Sequence, residues 1–449
     1  MQAKQCHRFS APSTRSIQLG QLPMKTDNRH RQFATIVAVI GVAYAMSQFF
    51  RMSNGVIAKD LSAEFSLSSE ALGGLTGIFF VSFAAAQIPL GMLFDRFGVR
   101  RTLPVILTFA VAGAVTYGLA EGFASLLAGR LMMGLGVSGV LVGALFVFGR
   151  WVPAERYATW MGRMIAIGGI GVLLSTTPLG LIAENIGWRY AFYGAGAVTA
   201  IGALLIYLLV RDTPPGGQPA VIQPGGLKES VTGVLEVLKT PRLPTVMGMA
   251  FASYPVLTAV VGLWGGPYLV DVYGLDTIAS GNILLFMAVA LIIGNIAYGP
   301  LEQRLDTRKW LVAGSAALVL ISFLLLALIP RPPLALATAL FVLISFCSAY
   351  NIVIAGHGRA LFPDRLAGRG IAMIAIALMG GPAIVQSASG LIMGAFPTVA
   401  GASPTDAYRA VFGFLAAIVM VALVAYLRLP DVRPSAGFAA DLRANTPLT

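Results

Sequence analysis

Gly91-Met92-Leu93-Phe94-Asp95-Arg96-Phe97-Gly98-Val99-Arg100-Arg101 joins two long apolar stretches. A second loop, Gly299-Pro300-Leu301-Glu302-Gln303-Arg304-Leu305-Asp306-Thr307-Arg308-Lys309, joins two more 208 residues later. Glycine, leucine, two arginines and the closing basic residue recur in register. Gly91 lets two helices approach closely, and Gly98 permits a tight turn. Asp95 can bond helix-end amides and pair with a cation, for which Arg150 is the candidate. In the second copy the Asp95 position is Gln303, so only the first loop reads as an electrostatic latch.

The repeat extends outward from these loops. Met164-Ile165-Ala166-Ile167 returns as Met373-Ile374-Ala375-Ile376, and Arg189 and Phe192 return as Arg409 and Phe412 with the added length of the Pro397–Asp406 loop. Two copies of six apolar segments in parallel orientation predict an all-α membrane protein with 12 transmembrane helices in two six-helix bundles. The twelve stretches, from Phe33–Val56 to Ala410–Leu427, are each near the ~20 residues needed to cross ~30 Å of hydrocarbon. Barrel strands would alternate instead. Composition agrees: 57% of the chain is hydrophobic and 11% charged, with a mean hydropathy of +0.80, against about 25% charged in a soluble domain.

The net charge of +12 resembles a nucleic-acid footprint until the basic residues are placed. All of the 31 except Arg51, Lys59, Arg130, Arg189, Arg331 and Arg409 fall in the tails or the even-numbered loops. The positive-inside rule then predicts both termini in the cytoplasm and no nucleic-acid partner. Four of the five tryptophans, Trp151, Trp160, Trp188 and Trp310, lie near span ends, as an aromatic belt requires. The two cysteines, Cys6 and Cys347, offer no disulfide framework.

The expected organisation is a disordered basic tail over 1–31, bundles over 32–211 and 245–428, a linker over 212–244 and a tail over 429–449. No cleavable signal is read, and Met1 and Met24 both stand as starts. The linker carries Pro214-Pro215-Gly216-Gly217 and Pro224-Gly225-Gly226. Leu227, Val231, Val234, Leu235 and Leu238 at helical spacing fit either an interfacial helix or a plain loop.

The Gly91–Arg101 loop, with its weaker copy, resembles the signature loop of the major facilitator superfamily, and the resemblance covers Phe33–Leu427. It implies secondary transport by alternating access. In the family this loop latches the halves on the cytoplasmic side and releases during the cycle, a role carried here by Gly91, Asp95, Arg96, Gly98, Arg100 and Arg150. Arg101 reads as a topology signal. Gly129-Arg130-Leu131-Met132-Met133-Gly134-Leu135-Gly136 resembles the family's fourth-helix Arg-x-x-x-Gly-x-Gly motif, whose arginine faces the cavity. Phe49-Phe50-Arg51-Met52-Ser53-Asn54 resembles the first-helix Asp-Arg pattern of the organic anion symporter branch, where the arginine grips a carboxylate. The acid of that pattern is Phe50 here, so anion binding carries over and the branch's proton-coupling acid does not.

Physical reading of the residues leads the same way. The twelve segments hold no Asp or Glu, while Arg51 and Arg130 lie inside the first and fourth. A lone intramembrane charge costs on the order of 3 kcal/mol or more and is normally kept facing a ligand pathway. The competing reading is an arginine snorkelling to an interface or bonded to backbone carbonyls; Arg130, about 8 Å from the outer end at 1.5 Å per residue, is within that reach. Tyr44, Gln48, Gln87, Tyr254, Trp264, Tyr350, Asn351 and Gln386 can line a cavity, though each alone also suits helix–helix bonding.

No paired intramembrane carboxylate, Gly-x-Ser-x-Gly, phosphate loop or His/Cys metal spacing is present, so no enzyme, metal or cofactor is expected. The leading expectation is a monomeric plasma-membrane carrier of a small organic anion in a lipid bilayer of bacterial type. A proton-coupled exporter of drugs or amphipathic metabolites is the alternative, and a transporter-like receptor is a further one. Span five lacks the Gly-Pro pair of proton-driven drug exporters. Protons as a coupling ion would need the substrate itself or a peripheral group such as Glu70, Glu121 or His357.

Overall fold

Ser68 and Asp276 stand 208 residues apart and do the same work. Ser68 Oγ accepts the Ala71 amide at 3.2 Å, and Asp276 Oδ1 accepts the Ala279 amide at 2.6 Å. Each satisfies an orphan donor at a helix start and so begins spans two (Ser69–Phe97) and eight (Thr277–Leu305). The same offset separates Gly98 and Asp306, which have positive φ of 76° and 47° where those spans end. At Gly98 a Cβ would lie 2.2 Å from Asp212 Oδ2, so only glycine fits. In this computed structural model, residues 26–214, 242–361, 364–398 and 402–435 are described. The tail before Thr26, the Leu227–Leu238 face of the linker and the segment beyond Ser435 lie outside the described residues.

Among the described residues, twelve helices are long and apolar enough to cross a membrane. The first includes Thr26–Met52, so the described helix reaches into the polar run before Phe33. Spans three (Val99–Gly118), six (Trp188–Leu209), nine (Lys309–Leu328), eleven (Asp364–Gly394) and twelve (Thr405–Tyr426) are single helices.

Spans one, four, seven and ten, the opening helix of each three-helix quarter, are all interrupted. Span one runs Thr26–Met52 and Asn54–Phe65, and span four Phe123–Val137 and Val140–Trp151. In span seven a π turn at Val260–Trp264 divides Leu243–Ala259 from Gly265–Tyr273. In span ten a 3₁₀ turn at Ser348–Tyr350 divides Leu334–Cys347 from Asn351–Leu361. Span five breaks once, between Ala154–Leu174 and Thr177–Asn185, just before Pro178. A freed carbonyl in hydrocarbon must find a donor elsewhere in the protein.

We call the end carrying the Gly91–Arg101 loop inner and the opposite end outer. The halves close on each other at the outer end, along three glycine-lined seams. A Cβ on Gly55 would lie 2.1 Å from Val261 O, and one on Gly266 would lie 2.0 Å from Gly55 O, which brings span one against span seven. A Cβ on Gly73 would lie 2.9 Å from Gly390 Cα, and one on Gly390 would lie 3.0 Å from Gly73 Cα, between spans two and eleven. Gly180 and Gly281 lie against Thr277 and Thr177 between spans five and eight. At Gly91, Gly162 and Gly299 of the inner ends a Cβ would meet nothing within 4 Å. The conformation is therefore closed at the outside.

Candidate functional site

Arg51 lies in the last turn before the break in span one, at the meeting of the halves. It is 4% exposed. One Nη donates to Tyr254 Oη of span seven at 3.1 Å and lies 3.7 Å from Met379 Sδ of span eleven; the other donates to Ser47 Oγ at 3.4 Å. The guanidinium sits 4.7 Å over the Phe83 ring of span two. Its Nε and the neighbouring Gln48 Oε1 are buried without a partner. Tyr44, Ser47, Gln48 and Arg51 share one face by helical spacing, and Tyr44 lies within electrostatic reach of both Arg51 and Tyr254. No acid pairs with Arg51 among the described residues. A buried charge held only by neutral dipoles is incompletely compensated.

Arg130 has a different setting. It is 0% exposed, donates to Phe50 O at 2.6 Å, and lies 5.1 Å from the Phe79 ring and 5.9 Å from the Tyr117 ring. Phe50 O sits at the break of span one and also accepts from Ser53 Oγ. The backbone-bonded arrangement weighed for this arginine is thus the one adopted, directly behind Arg51. Arg130 Nε and one Nη are buried without partners. Three other expected cavity residues likewise bond backbone carbonyls, two of them near helix breaks. Gln87 donates to Ser138 O at 3.1 Å, Gln386 to Thr258 O at 3.2 Å, and Tyr350 to Ala252 O at 3.4 Å. Trp264 donates to Ser389 Oγ at 2.8 Å. Asn351 is half-buried where span ten resumes.

Of the nine expected residues, the structure therefore gathers Arg51, Tyr44 and Tyr254. It adds Ser47, Phe83 and Met379, which sequence reasoning missed. Ser47 carried a signal, being one turn before Arg51 on the same face; Phe83 and Met379 carried none.

His357, read as a peripheral group, is fully buried. Its Nε2–H donates to Pro430 O at 3.1 Å, so its Nδ1 accepts the Tyr426 hydroxyl, and the ring tethers span ten to the end of span twelve.

Among the described residues, Asp95, Arg96 and Arg150 do not form the expected latch. Asp95 and Arg96 are exposed, Arg150 lies over the Phe146 ring and Arg96 over Phe97, and the expected Asp95–Arg150 pair does not form. Both residues belong to the first half, and Arg150 turns instead onto the Phe146 ring one turn earlier on its own helix. The loop is held instead by Asp212, whose Oδ1 accepts the Val99 and Arg100 amides at 2.8 and 3.0 Å, while Arg100 Nε donates to Tyr207 O. Asp431 repeats the contact in the second half, accepting the Arg308 and Lys309 amides at 3.2 and 3.0 Å. Each carboxylate faces the amino end of span three or nine, where the helix dipole favours it. Outside, Lys59 of the first half meets Asp271 of the second at 2.5 Å; Asp271 also accepts from Tyr408 Oη and the Ser403 amide.

Residues 40–355 match the model of the Major Facilitator Superfamily. The chain belongs to that family. Among relatives, it is 37% identical over 141 residues to the nitrate/nitrite transporter NrtP of Nostoc punctiforme, covering 29% of this chain and 28% of that one. It is 26% identical over 291 residues to the protein named "Probable L-galactonate transporter" of Escherichia coli, 63% of each. It is 24% identical over 186 residues to the quinolone resistance transporter of Acinetobacter baumannii, 39% of this chain and 42% of that one. The matched regions thus span less than two thirds of these relatives. In fold, the chain is similar to the crystal structure of the nucleoside transporter NupG, with a TM-score of 0.71 over 89% of this chain and 100% of that one at 12% identity. As a member of the Major Facilitator Superfamily the chain is a multi-pass membrane protein with two six-helix halves, and Arg51 joins those halves.

Proposed function

We propose that this protein is a secondary transporter that moves a small organic anion across the plasma membrane by alternating access, with Arg51 holding the anion. One observation carries the reading: a buried guanidinium with an open Nε and, among the described residues, no acidic partner bridges both halves through Tyr254 and Met379. A carboxylate bonded to Arg51 and also reached by Tyr254 is held by both halves only while they are together, so ligand binding and rocking are coupled. Arg130 acts behind it as a positioning residue through the Phe50 carbonyl. The names of the nitrate/nitrite and L-galactonate relatives support an anionic cargo.

A second reading, export of a drug or amphipathic metabolite, is favoured by the apolar Phe83 and Met379 beside Arg51 and by the quinolone relative. Proteoliposome flux of labelled organic anions and of a lipophilic cation separates the two. Arg51→Gln is expected to abolish anion flux. Arg51→Lys should restore it only in part, because an ammonium keeps the charge and loses the fork. Unchanged anion flux in Arg51→Gln, or cation flux alone in the wild type, would overturn the anion reading.

A further inference from the structure

A groove of about 440 Å³ opens between the inner halves of spans seven and twelve, lined by Gly248, Phe251, Phe414, Ala417, Ile418 and Val421 among others. It is apolar apart from Thr245. Gly248 has no atom within 4 Å of where its Cβ would lie, which is why the groove is deep at that level. Val421 on its rim is 68% exposed and Val424 and Met420 are exposed beside it, so the groove opens sideways on the face that meets hydrocarbon. It belongs to neither the Arg51 site nor the seams between the halves.

Charge marks the mouth. Arg242 is exposed two residues before Pro244, at the amino end of span seven. Arg428 is exposed one turn beyond Ala425, at the carboxyl end of span twelve. Neither has an acidic partner among the described residues. Arg242 also precedes a helix start that lacks a side-chain cap, where free amides and the helix dipole favour an anion.

We infer that this groove is a binding site for an anionic phospholipid of the inner leaflet, one acyl chain lying along Gly248 and Phe251 and the phosphate held between Arg242 and Arg428. The two ends of the groove match the two ends of such a molecule: apolar surface where the chain runs, and cations at headgroup depth. A zwitterionic lipid shares the chain and lacks the net charge, so the arginines supply the discrimination. At about 1 kcal/mol for each surface arginine, two give a preference on the order of 30-fold.

The test is native mass spectrometry of the full chain titrated with dioleoylphosphatidylglycerol or dioleoylphosphatidylethanolamine. The wild type should retain the glycerol lipid roughly 30-fold more strongly. Arg242→Gln with Arg428→Gln should remove the preference, and the corresponding double Lys variant should keep it and so report that the fold is intact. Gly248→Leu, which fills open space, should weaken both lipids alike. A wild type without preference, or a double Gln variant that retains it, overturns the inference.

Discussion

Gly55→Ala tests the outer-closed packing directly. A Cβ there would stand 2.1 Å from Val261 O and 3.1 Å from Gly262 C, and both obstacles are backbone, so no side chain can turn aside. Overpacking of this kind costs about 1–3 kcal/mol. The cost falls only on the state in which span one presses on span seven; when the halves part at the outer end the methyl is free. The ratio of outer-closed to outer-open molecules should therefore drop by about 5–150-fold. Gly74→Ala is the control, since nothing lies within 4 Å of its Cβ. Spin labels on cysteines replacing Ala63 and Leu334, exposed at the outer ends of the two halves, in a Cys6→Ser background report the outer distance. Gly55→Ala should lengthen it and Gly74→Ala should not. An unchanged distance distribution in Gly55→Ala would refute the reasoning.

Three other substitutions and conditions have definite expected outcomes. Arg130→Gln removes a charged bond to the Phe50 carbonyl, of the class worth about 1.5–3 kcal/mol; the variant should melt earlier in a thermal scan and lose substrate affinity even though it does not touch the ligand. Asp271→Asn weakens the Lys59 contact, in which the carboxylate is 3% exposed and the ammonium 27%. It should raise labelling of an outer-seam cysteine by a membrane-impermeant maleimide, and Lys59→Gln should do the same. Partial burial raises the pKa of Asp431, yet bonds from Thr307 and from the Lys309 and Arg308 amides hold it below the usual carboxylate range. A lowered folded pKa gives stability that is full above the unfolded value near 4 and lost as pH falls through the folded one. Thermal stability should therefore fall below about pH 4, and less steeply in Asp431→Asn than in the wild type.

Twelve spans and two halves were legible because the membrane imposes length, apolarity and internal backbone bonding on each segment independently. The loop repeat added register: Gly91–Arg101 and Gly299–Lys309 foretold equivalent ends, and Gly98 and Asp306 both take positive φ there. Arg51 stood out by charge alone, since a cation in hydrocarbon is conspicuous wherever its helix packs. The partners of these residues were not legible. Gln87, Gln386 and Arg130 look alike in sequence to cavity residues, and they bond carbonyls at breaks in spans one, four and seven. Nothing local marks those breaks, because Ser53 and Val260–Trp264 interrupt their helices only where a neighbouring span supplies the donor. The Asp95–Arg150 pair shows the same division. Its loop follows from the glycines and charges of the chain, but local packing set Arg150 over Phe146 rather than against Asp95. Charge, length and repeat were determined by the sequence by itself; the joining of Arg51 to Tyr254 and Met379, and the closure of the outer seams, were decided only when the halves packed.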